Sequence, residues 1–168
     1  MAAPAVPLPR DESGYPPAAV DIRTHHALDR ELCGTPVALA EGTATVSLVT
    51  TSRMQADAHG LVHGGFVFGL ADHAAMLAVN EPPVVLGAAE LRLLAPVRVG
   101  QRVEATARVV EPPKASGGDD PGGPPRRAKK ILVDVEARVG ETVVLTGRLT
   151  CFVPPRHVLE SQRKETTP

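Results

Sequence analysis

Residues 60–80 read GLVHGGFVFGLADHAAMLAVN. After the paired glycines nearly every position is apolar, from Phe66, Val67 and Phe68 through Leu70 and Ala71 to Ala74, Ala75, Met76, Leu77, Ala78 and Val79. A helix that is apolar on all faces is buried on all faces. The run is too short, and too polar at its edges, to span a membrane. It holds one carboxylate, Asp72, which is costly there unless paired, hydrogen-bonded or used. His63, Gly64 and Gly65 mark the helix start, where free N–H groups and the helix dipole favour negative charge. One segment thus supplies an anion-stabilising end and, about two turns on, a buried acid.

Working outward, 168 residues suffice for one domain with a real core. A net charge of -1 points away from bulk nucleic-acid binding. Aromatic residues make up 2%, with no Trp and one Tyr, so stacking platforms for single-stranded nucleic acid or sugar are excluded. The core must come from Ala, Val and Leu. Cys33 and Cys151 are far apart and in no CxxC spacing, which argues against a disulfide framework or zinc site and fits a reduced compartment. The first residues, MAAPAVPLPRDESGYPP, contain no basic stretch followed by a continuous apolar one. A cytoplasmic protein without signal peptide or membrane span is expected.

Residues 1–21 are rich in Pro and Ala and read as a disordered arm; 22–155 form the domain, and 156–168 a polar tail. Thr24 to Cys33 has helical spacing of Ala27, Leu28 and Leu32, with Thr24 as N-cap and Gly34 as stop. Val37 to Thr50 reads as a hairpin turning at Glu41-Gly42. Thr51 to Val62 is irregular, and Pro82-Pro83 ends the buried helix. Four strands follow: Val84 to Leu94, Arg102 to Val110, Ala128 to Val139 and Thr142 to Val153. In the second, Val103, Ala105, Ala107 and Val109 alternate with Arg102, Glu104, Thr106 and Arg108, the pattern of a half-solvated antiparallel strand. Between 112 and 127 lies a Pro/Gly-rich loop without a packing pattern. The fold class is α+β, an antiparallel sheet of about six strands curled around one helix.

The pattern HGGFVFGLADHAA, followed by LLAPVRVGQRVEATARVV, resembles the hotdog-fold acyl-CoA thioesterases of the PaaI-like type, over residues 24 to 153. That group carries HGG at the start of the central helix and an acid eight residues after its first glycine, met here by Gly64 and Asp72. The resemblance implies a hotdog fold and hydrolysis of an acyl-CoA thioester. It implies that the Gly64 N–H, with Gly65 beside it, polarises the carbonyl, that Asp72 is general base or nucleophile, and that His63 fixes the loop. Six residues before that His the family often has Asn or Gln, whereas this chain has Asp57. A second carboxylate nearby would raise the pKa of one of the pair, act as a second base, or face solvent. Some relatives carry a hydroxyl near the positions of Gly87 to Ala89, where this chain has none.

Eight residues of helix rise about 12 Å, so one thioester carbon cannot meet Gly64 and Asp72 of the same chain. Acting together they require a dimer; the resemblance also implies one, often paired into a tetramer. Phe66, Phe68 and Met76 suit an apolar acyl tail. Arg126, Arg127, Lys129 and Lys130 read either as a clamp on the phosphates of coenzyme A or as a solvated strand start. His59, His63 and His73 raise a metal site, but the glycines around 60–65 make the stretch a loop, and no metal is expected. No cofactor is implied, coenzyme A being part of the substrate. Two alternatives compete: a hotdog hydratase or dehydratase, whose catalytic His motif is absent here, and a non-catalytic acyl-CoA-binding module.

Overall fold

The computed structural model describes residues 21–110 and 128–162. The expected arm up to residue 20, the loop at 112–127 and the chain end therefore lie outside the described residues, and Arg126 and Arg127 with them. The elements are α1 (Arg30–Cys33), β1 (Thr35–Ala40), β2 (Thr43–Val49), α2 (Gly64–Val79), β3 (Val85–Leu93), β4 (Arg102–Val110), β5 (Lys129–Val139), β6 (Thr142–Val153) and α3 (Val158–Gln162).

The six strands form one antiparallel sheet in the order β1-β2-β4-β5-β6-β3. The alternation in β4 decides which side faces inward: Val103, Ala105 and Ala107 are fully buried, and Val133, Val135 and Ala137 of β5 join them on the same face. Helix α2 lies across β2, β4 and β5 and only brushes β6 and β3. Leu70, Ala71, Ala74, Ala75 and Leu77 are wholly enclosed. A core of small aliphatic side chains follows from the scarcity of aromatics, and alanines let the helix sit close to the sheet. The sheet's outer face is polar, with Arg148 making a two-pronged ion pair to Asp134 on the neighbouring strand.

Two local readings need correction. The helix expected over Thr24 to Cys33 shrinks to its last four residues. Asp29, not Thr24, caps it, accepting from the Glu31 and Leu32 N–H groups. His25 has φ 56, which breaks any helix at that point, and the Thr24 hydroxyl is turned to the His25 ring. Helix α2 stops before the prolines: Asn80 takes the left-handed conformation, φ 50, and its N–H closes on the Met76 carbonyl. Asn80 also anchors the incoming chain, accepting from the Arg23 N–H and donating to the Asp21 carbonyl.

Strand β3 pairs only with β6 and leaves its other edge open among the described residues. Gly87, Ala88, Ala89 and Glu90 are all exposed along it. Leu93 and its neighbour Leu94 are 60% and 54% exposed, unusual for large aliphatic side chains.

Candidate active site

The site grows from the start of α2. His63 stands at the N-cap, and its Nδ1 accepts the Gly65 N–H at 3.0 Å. A side chain on residue 65 would have its Cβ 2.8 Å from that nitrogen, so the ring's seat requires glycine there. The Phe66 N–H turns back to the His63 carbonyl. This sorts the two glycines. The Gly65 N–H is taken by the cap, whereas the Gly64 N–H donates to no protein atom among the described residues. Gly64 lines a cavity of about 320 Å³ at this end of the helix. A free amide at a positive helix end, beside a cavity, can receive negative charge.

Asp72 lies two turns further on. Its Oδ1 is enclosed and meets no hydrogen-bond partner among the described residues. Burial raises its pKa from the ordinary 3.8 to about 6. No neighbouring carboxylate contributes to that shift. The acid lies close enough to Cys151 on β6 to add to the burial that pushes this thiol up to about 11, and it acts in the same sense on Cys33. Both cysteines are free thiols. His73, next on the helix, turns away: its Nδ1 donates to the Cys33 carbonyl at 3.0 Å, and burial lowers its pKa.

Asp57 has a different employment. Its Oδ1 accepts from the His59 and Leu61 N–H groups, folding the loop before α2 into an Asx turn. His59 Nδ1 stands 3.9 Å from the other carboxylate oxygen. That loop is also tied down where the Val62 N–H meets the Val97 carbonyl and the His63 N–H meets that of Met54.

The remaining candidates divide. Phe66 and Phe68 are half-buried against the core, Phe66 edge-on to the His63 ring at 6.3 Å. Met76 is 1% exposed and belongs to the core, so it is closed to a ligand in the single chain. Lys129 and Lys130 are exposed at the start of β5. Leu93 escaped the sequence reading: its methyl reaches within 2.7 Å of where a Gly64 Cβ would stand. The only hint was the apolar pair Leu93-Leu94 ahead of Pro96. A concavity of about 780 Å³ lies on the charged outer face of β4 and β5, lined by none of the predicted site residues. Among the described residues no cluster of His, Cys, Asp and Glu suits a metal ion, and no helix is long and apolar enough to cross a membrane.

Residues 59–116 match the family described as Thioesterase superfamily. A curated relative, methylthioribose-1-phosphate isomerase of Aquifex aeolicus (strain VF5), is 48% identical over 128 residues, which are 76% of this chain and 25% of that protein. The match thus spans about a quarter of the length of that relative. The crystal structure of an uncharacterized protein, PH1136 from Pyrococcus horikoshii, is similar with a TM-score of 0.73 at 47% identity, covering 83% of this chain and 97% of the other. A mutant of the phenylacetic acid degradation protein PaaI from Thermus thermophilus is similar with a TM-score of 0.59 at 28% identity, covering 74% and 96%.

Proposed function

The chain belongs to the hotdog-fold thioesterase superfamily, in its PaaI-like group, and from that premise we propose that it hydrolyses an acyl-CoA thioester to the free acid and coenzyme A. The observation that carries this reading is the pairing of functions on α2: an unclaimed Gly64 N–H beside a cavity, and Asp72 with a dry oxygen and a pKa of about 6. A carboxylate poised near neutral pH is suited to take a proton from water or to attack a carbonyl itself. The Gly64 amide would hold the negative charge that forms on the thioester oxygen. His63 acts one step back, fixing the helix start and occupying the competing Gly65 N–H.

About 12 Å of helix separates the two groups, so each site takes Gly64 from one protomer and Asp72 from its partner. The open edge of β3 supports that arrangement. Leu93, beside Gly64, pairs with Leu145, whereas Leu86 pairs with Cys151, the thiol that feels Asp72. Antiparallel pairing of β3 with its copy lays the Leu93 end of one chain over the Leu86 end of the other. Each oxyanion donor is thereby brought toward a foreign acid, twice per dimer. The isomerase activity in the Aquifex relative's name stays with that much longer protein.

The test is release of free thiol from a panel of acyl-CoA esters by the wild-type protein and by Asp72→Asn. Turnover is expected for the former, with a loss on the order of 10²–10⁴-fold for the latter. Equal turnover by both would remove Asp72 from the reaction, and turnover by a strict monomer would remove the shared site.

A further inference from the structure

The cavity at the head of α2 has an unusual lining. Beside Gly64 it is walled by Val62, Val67, Leu93, Leu94, Val97 and Val144, and none of its lining residues carries a polar side chain. Two backbone pairs around it are engaged, the Val62 N–H with the Val97 carbonyl and the Leu94 N–H with the Val144 carbonyl, both at 2.8 Å, while the Gly64 N–H is left for a ligand. Its volume of about 320 Å³ is at the low end for ligand pockets. Leu93 stands on the open edge strand with its methyl pressed toward Gly64, which has room for it only because residue 64 has no Cβ.

We propose that this cavity takes the acyl arm of the thioester, that the arm is an unsubstituted aliphatic chain of short to medium length, and that Leu93 sets the length accepted. The proposal rests on the thioesterase reading and narrows it. The other arm of an acyl-CoA carries two amides, which would be stranded against aliphatic walls with their hydrogen bonds unmade. A ring hydroxyl would be stranded against these walls in the same way, and discrimination in favour of a hydroxyl needs polar side chains that this protomer's lining lacks. A saturated chain leaves nothing unmatched. Its reach is limited by whatever stands at the wall nearest the amide, and that is Leu93.

The experiment measures kcat/KM for saturated acyl-CoA esters from acetyl to dodecanoyl and for a hydroxyaryl-CoA. In parallel, calorimetry measures Kd for the matching S-alkyl-CoA thioethers, which cannot be hydrolysed. Leu93→Ala opens the wall by about three carbons' worth of space and is expected to shift the preferred chain longer by about two carbons. The ratio of long-chain to short-chain kcat/KM should rise about tenfold or more. Leu93→Phe is expected to shift the preference shorter. Gly64→Ala pushes a methyl into the same space and should also shorten it, with Leu93→Ala in the same chain restoring the longer preference. Better hydroxyaryl than aliphatic turnover, or one chain-length ranking in all variants, overturns the proposal while leaving the thioesterase reading intact. Thioether affinities that follow chain length and move with Leu93, without thiol release from any ester, sustain the cavity's role and overturn the hydrolysis.

Discussion

Asp72 is held by the folded chain at a pKa of about 6, above the 3.8 of a free Asp, because burial penalises its charged form. The sign of the linkage follows. Between those two values the folded state keeps a proton that the unfolded state has lost, so stability falls as pH rises from about 4 to about 6 and is level above. Asp72→Asn never ionises. It is expected to be more stable than wild type at pH 8, by something of the order of 2–3 kcal/mol, and hardly different at pH 4. Chemical denaturation at the two pH values checks this, and an equal difference at both would refute it. Wild-type turnover should climb with pH through about 6 to a plateau, since the ionised acid is the working form. At the other end of the helix, His63→Ala removes the cap on Gly65 and should cost about 1 kcal/mol in the same measurement.

Elements were legible where side-chain periodicity and burial agree. The alternation of Val103, Ala105 and Ala107 with charged residues located β4 to the residue, because one face is core and the other solvent. The all-apolar run located α2 for the opposite reason, and a lone acid inside it drew the eye to Asp72. The first helix misled because Ala27, Leu28 and Leu32 keep helical spacing while His25 adopts a left-handed backbone, a local event that spacing does not encode. The stop at Asn80 was hidden behind the louder signal of two prolines. It makes a test at this scale: Asn80→Gly keeps the left-handed cap but drops both bonds to residues 21–23. It is expected to leave α2 intact by circular dichroism while amide exchange in residues 21–28 accelerates. Leu93 was illegible because its partner, Gly64, is 29 positions away, and only the folded sheet brings them together.

For the whole molecule the decisive surface is the edge of β3 that the described residues leave open. The run VLGAAELRL reads as an ordinary strand, and nothing in its composition says that β6 alone flanks it among the described residues. In the proposed dimer that edge meets its own copy, so Ala89→Glu sets two like charges close to the two-fold axis. The protomer should fold unchanged, since Ala89 is exposed. Sedimentation should show a shift toward monomer, and thiol release should fall with it. A dimeric Ala89→Glu protein would move the contact elsewhere.

The strand order carries a consequence for biosynthesis. Strand β3 precedes β4 and β5 in the chain, yet its ladder partner is the last strand of the sheet, at residues 142–153. Until β6 has been made there is no platform on which to lay β3, so in the proposed dimer the edge that would recruit a mate is finished only after residues 142–153.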